Sequence, residues 1–77
     1  MNLNHIEAFV KVADEGSFRK AANALFLKQP TVSAHISALE KELGVKLFER
    51  NTKEVYLTAE GHALYGYARE MVNLQNI

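Results

Sequence analysis

No cysteine occurs among the 77 residues. That excludes a disulfide framework and any thiolate metal site, and it suits a reducing compartment. No apolar run approaches the roughly 20 residues needed to span a bilayer. The N-terminus lacks a basic stretch followed by an apolar one, so no secretory signal is expected. There is no glycine-rich phosphate loop, and Pro30 is the single proline. Net charge is absent too, with 9 basic and 9 acidic residues. One absence is local. From Gly16 to Leu39, 24 consecutive residues, there is no Asp or Glu, while Arg19, Lys20, Lys28 and His35 fall inside. A neutral chain that clears acids from one stretch has a polarised surface, of the kind that docks on a polyanion.

What is present suits one small helical domain: 48% of the residues are hydrophobic, enough for a single thin core. Leu3, Ile6, Phe9, Val10 and Ala13 recur with helical periodicity, predicting an amphipathic first helix. Asn2 or Asn4 can cap it and Gly16 can end it. Ser17 reads as the N-cap of a second helix whose stripe is Phe18, Ala21, Ala22 and Leu25. The two alanines let another helix approach closely. Phe26 to Lys28 form a turn, and Pro30 fits only the first turn of a third helix beginning at about Gln29. Its expected core stripe is Val32, Ile36, Leu39 and Leu43. Pro30, Ala34, Ser37, Ala38 and Lys41 point the other way, and Gly44 supplies the stop.

Two β-prone pieces, Lys46 to Glu49 and Val55 to Leu57, flank a polar tip from Arg50 to Glu54, which predicts a hairpin. Thr58 caps a last helix with Glu60 in its first turn. Leu64, Ala68, Met71 and Val72 line one face of it, with Tyr67 beside them. This helix runs toward Ile77 with no Gly or Pro stop, so a continuation beyond it is expected.

The order of helix, helix, turn, helix, hairpin and long helix is that of a winged helix-turn-helix. At residue level the chain closely resembles the N-terminal DNA-binding domain of LysR-type transcriptional regulators of bacteria. The resemblance rests on Phe9-Val10-Lys11-Val12-Ala13, Gly16-Ser17-Phe18 with Ala21-Ala22, and Gln29-Pro30-Thr31-Val32-Ser33. It continues in Leu39-Glu40 with Leu43-Gly44, in Leu47-Phe48-Glu49-Arg50, and in Leu57-Thr58-Ala59-Glu60-Gly61. It implies a mainly α fold, with a three-helix core and two-stranded wing over residues 1–58 and a linker or dimerisation helix over 59–77. It implies double-stranded DNA as partner, read as an inverted repeat by a homodimer paired through the last helix. The third helix would enter the major groove and the wing the minor groove. A cytoplasmic bacterial regulator is implied, with no membrane partner and no cofactor in this piece. The small-molecule effector belongs to a larger domain that normally follows.

Base contact is expected from Gln29, Pro30, Thr31, Ser33 and Ala34, which offer amide, hydroxyl and apolar surface near a helix start. Ordinary helix-start chemistry explains Gln29 and Thr31 equally well when they are taken alone. Backbone or minor-groove contact is expected from Ser17, Arg19, Lys20, Lys28, His35, Ser37, Arg50 and Lys53. Ser17 as a plain cap needs no DNA, and both roles can coexist. Two positions depart from the family pattern. A Ser is common where this chain has Lys28, which cannot cap because an ammonium has no acceptor. An Arg often follows Ser33, where this chain has Ala34 and His35; a partly packed surface histidine is the favoured reading of His35. Dimer contact is expected from Leu64, Tyr67, Ala68, Met71 and Val72, whose bland alternative is covering the domain's own core.

Other classes fit less well. His5, His35 and His62 fall on three different helices, none paired at metal-ligand spacing, and Ser33 and His35 face different directions. An enzyme is therefore not expected. A protein-interaction module on the same fold would place an acidic partner on the cationic window.

Overall fold

Helix α1 (Leu3–Glu15) is the hub of the fold, in contact with each of the other helices. The computed structural model describes residues 2–50 and 54–75, with only the backbone of Arg50. The other elements are α2 (Phe18–Leu25), α3 (Gln29–Leu43), β1 (Phe48–Arg50), β2 (Val55–Leu57) and α4 (Ala59–Gln75). Because three helices surround α1, its burial exceeds one stripe: Ile6, Ala8, Phe9, Val10 and Val12 are all buried. Leu3, expected in the stripe, is 50% exposed at the free first turn.

Local chemistry sets the helix ends. Asn2 Oδ1 accepts from the Asn4 N–H at 2.7 Å, and Gly16 takes the left-handed conformation, φ 65°, that ends α1. Ser17 Oγ accepts from the Lys20 N–H at 3.1 Å. Ala21 and Ala22 are buried against the rest of the core, as their small size allows. Helix α3 starts at Gln29, ends at Gly44 with φ 72°, and buries Val32, Ile36 and Leu39. Leu43 does not extend this stripe. It is 38% exposed, one residue from the chain reversal at Gly44, where the core has already ended.

Strands β1 and β2 pair antiparallel, Phe48 opposite Leu57, Glu49 opposite Tyr56 and Arg50 opposite Val55. The first strand begins at Phe48, later than the expected Lys46. Lys46 and Leu47 have other partners. The Leu47 N–H donates to Glu40 Oε2 at 2.8 Å, and Thr58 Oγ1 donates to the Lys46 carbonyl at 2.6 Å. Phe48 then turns inward and meets Phe9 and Phe18 with ring centroids 5.4 and 5.9 Å away. Such tilted pairs add about 0.5–1.5 kcal/mol each beyond the area they bury. They fasten the hairpin to the helical core.

Thr58 caps α4, its Oγ1 accepting from the Gly61 N–H at 3.0 Å. Helix α4 packs along α1 and sends Ala68 fully into the core. Asp14 near the end of α1 holds α4 from outside: Tyr65 Oη donates to Asp14 Oδ1, and Arg69 Nη1 lies 2.6 Å from Asp14 Oδ2. Donating to the Asp14 carboxylate raises the Tyr65 phenol above its ordinary value, with desolvation and the Asp14 charge adding in the same direction. A raised pKa in the folded state means this contribution is complete below the ordinary tyrosine value of about 10. It is lost as pH climbs through the raised value. The urea midpoint of the wild type should therefore fall more between pH 9 and pH 11 than that of Tyr65→Phe. Equal falls would separate the phenol proton from stability.

Candidate nucleic-acid interface

Two faces of α3 differ sharply. Val32, Ile36 and Leu39 are at 0% exposure on the inner one. Gln29, Pro30, Thr31, Ala34, Ser37, Ala38 and Lys41 are exposed. Apart from Gln29 and Lys41 these are small or short polar side chains, and the face carries no acid before Glu40. Glu40 itself turns inward, its side chain 11% exposed, and caps Leu47. So the acid-free window ends at a carboxylate committed to holding the start of the wing. This role had only a faint sequence signal, the position of Glu40 one residue after the buried Leu39.

The start of α3 is electropositive and left open. Lys28 is the N-cap in extended conformation, φ −78° and ψ 147°, with no side-chain cap hydrogen bond. The first turns of α1, α2 and α3 contain no acid, whereas α4 has Glu60. A lysine at a helix start opposes the helix dipole in the free protein. Both local choices lower the stability of α3 and both favour an arriving anion. Helix α2 packs against α3 and begins with exposed Arg19 and Lys20 beside half-buried Ser17, whose hydroxyl is already the cap.

Ser33 is half-buried at the margin of the outer face. His35 is half-buried too: its ring packs on His5 of α1, centroids 4.8 Å apart and planes tilted by 39°. Its Nδ1 is buried without a hydrogen-bond partner. The ring is thus committed to α1, in keeping with a partly packed surface histidine, and its placement gives a phosphate contact little support. Arg50 contributes its backbone to β1 opposite Val55. Its side chain and the whole of Lys53 lie outside the described residues. No group of three or more His, Asp or Glu able to hold a metal occurs among the described residues.

The last helix requires a correction. Ala68 was expected at a dimer contact, but it is fully buried under α1 and has no surface to offer. Leu64, Met71 and Val72 are half-buried against the same core. Tyr67 is 69% exposed, as is Leu74, which the sequence reading passed over. Their spacing of seven residues puts them on one face of α4 and was the signal for it.

The tail of α2 holds another residue that sequence reasoning left as a plain turn. Phe26 has φ 58° and ψ 38° and is 94% exposed. Its N–H donates to the Asn23 carbonyl at 3.3 Å, and the Leu27 N–H donates to the Ala22 carbonyl at 2.9 Å. This is the Schellman arrangement, in which glycine is the usual occupant of the left-handed position.

Comparison with known proteins agrees with this geometry. The family described as bacterial regulatory helix-turn-helix protein, lysR family, matches residues 3–62. The chain is 45% identical over 73 residues to the HTH-type transcriptional regulator CitR of Bacillus subtilis, covering 95% of this chain and 25% of that protein. Identity is also 45% over 73 residues with BenM of Acinetobacter baylyi, covering 95% and 24%. Among solved structures, the BenM DNA-binding domain bound to catB site 1 DNA superposes with a TM-score of 0.93 at 43% identity, over 99% of this chain and 85% of that one. The CbnR DNA-binding domain in complex with DNA gives 0.92 at 37% identity, over 99% and 87%. The chain spans about a quarter of the length of the curated relatives. From its first helix through the start of its last, this chain belongs to the LysR family of bacterial regulatory helix-turn-helix proteins.

Proposed function

We propose that this domain binds double-stranded DNA sequence-specifically and serves transcription regulation. The observation that carries this reading is the outer face of α3: exposed, small, free of acid, and opening on an uncapped positive helix start with Gln29, Pro30 and Thr31. A groove accepts such a face more readily than a flat protein surface does. Gln29, Pro30, Thr31, Ser33 and Ala34 are the proposed base-reading set, with α3 in the major groove. Ser17, Arg19, Lys20, Lys28 and Ser37 are assigned to phosphate positioning, and the wing, with Arg50 and Lys53, to the minor groove. The DNA complexes of the BenM and CbnR domains support this assignment by likeness. Exposed Tyr67 and Leu74 on α4 support pairing of two copies over an inverted repeat. The reading is of a non-enzymatic, cytoplasmic regulator that needs no cofactor in this domain. Any small-molecule effector would act on the larger remainder of a longer protein.

Duplex binding measured from low to moderate salt tests the proposal. Affinity should fall steeply with salt, and a duplex selected from a random pool should outcompete unselected DNA. Absence of salt-dependent binding at low ionic strength would end it. Within that assay Lys28→Ala has a distinct signature. Losing one phosphate contact releases one counterion fewer, so affinity should drop on every sequence and the salt slope should shrink by about 1. An unchanged slope with altered base preference would move Lys28 from phosphate to base.

A further inference from the structure

Phe26 combines two features that work against the free protein. A bulky non-glycine residue occupies the left-handed position at the end of α2, φ 58°, where steric repulsion of its Cβ is unfavourable. Its side chain is then left 94% exposed, returning nothing to the core. Among the described residues it is the one non-glycine residue with positive φ. Glycine ends α1 and α3 in the same conformation, at Gly16 and Gly44, so the chain uses the unstrained solution at its other helix ends of this kind. A phenyl ring kept under these conditions is explained by a partner that covers it.

The position decides which partner. Phe26 precedes Gln29 by three residues, so the two Cα atoms are at most about 10 Å apart. Between them stand Leu27, itself 39% exposed, and the exposed Lys28. No acid occurs within ten residues on either side of Phe26 in the sequence. A cation-flanked aromatic beside the open start of the proposed recognition helix complements a polyanion that also presents apolar carbon, such as the sugar and base edges of a duplex. We infer that Phe26 is a DNA-contacting residue, its ring packing on apolar duplex surface beside the base read by Gln29. This rests on the duplex-binding reading above.

Phe26→Gly tests it, because the substitution relieves the backbone and removes the ring together. The assay uses labelled duplexes recovered from a random pool with the wild-type protein, so duplex binding itself is established or refuted first. The variant should melt at or above the wild-type temperature and bind these duplexes about tenfold more weakly, the scale of losing one well-covered aromatic contact. Its salt slope should equal the wild-type slope, because an apolar contact releases no counterion. Wild-type binding with an unchanged affinity for Phe26→Gly would overturn the inference while leaving the duplex reading intact. So would an affinity loss matched by a lowered melting temperature, or a loss of self-association at unchanged duplex affinity. Failure of the wild type to bind any duplex would overturn both.

Discussion

Gly61→Ala is expected to destabilise the domain by about 3 kcal/mol, and Gly66→Ala, five residues along the same helix, to stabilise it slightly. A Cβ at Gly61 would sit well inside contact distance of the Leu47 carbonyl oxygen, and 2.9 Å from Leu57 Cδ2. The obstacle is backbone, and that backbone is fixed on all sides. Leu47 is fully buried, its N–H is held by Glu40 at 2.8 Å, and its carbonyl accepts from the Thr58 N–H at 3.0 Å. Relief would require α4 to lift away from the loop before β1, breaking the Thr58 cap as it goes. Gly66 meets nothing within 4 Å and its φ is not positive, so alanine there only limits the unfolded chain. Urea denaturation of the two variants gives the comparison, and similar midpoints for both would mean that the Gly61 contact yields freely. The loss at Gly61 should also reach DNA binding, because Leu47 leads directly into Phe48, which fastens the hairpin to Phe9 and Phe18.

Gly61 also marks the boundary of what the sequence could reveal. Helix ends set by familiar capping residues were legible: Asn2, with Asn4 as the alternative, Ser17 and Thr58 as caps, Gly16 and Gly44 as stops. Those interactions close within a few residues, so their pattern survives in one dimension. The end of α2 at Phe26 was not legible, because a phenylalanine stands where glycine is the usual signal. The inner and outer faces of α3 were legible for the same reason, since periodicity alone separates Val32, Ile36 and Leu39 from Pro30, Ala34 and Ser37. What needed the fold depended on distant partners. The burial of α1 on several sides follows from three packed helices, and the burial of Ala68 follows from α1 lying over it. Glu40 looks like any surface acid until the chain brings the Leu47 N–H to it. His35 shows its inward role only through His5, thirty residues earlier. The exposed face of α3 was therefore legible in the sequence. Residues whose direction is set by another element were not.

Gln29→Ala should cost about 1–3 kcal/mol on the selected duplex and far less on unrelated DNA, narrowing the gap between the two. The side chain is exposed in the first turn of α3 and carries a donor and an acceptor on one amide, the pair needed for a bidentate contact with adenine. The side chain stands exposed at the first position of α3 and takes no part in the core, so truncation leaves the fold nearly untouched. That separates it from Gly61→Ala, which should lower the melting temperature and weaken binding to selected and random duplexes alike. The ordinary helix-start reading of Gln29 makes the opposite forecast: a small change in melting temperature and an equal loss on all duplexes. Competition between selected and random duplexes at one fixed salt concentration distinguishes these outcomes, because a phosphate contact weakens both alike while a base contact weakens only the first. Lys28→Ala provides the internal contrast. The two residues are neighbours at one helix start, yet one should change the salt slope and spare base preference, and the other should do the reverse. A chain with no net charge would thus divide its binding between adjacent positions, the cation holding the duplex and the uncharged amide choosing it.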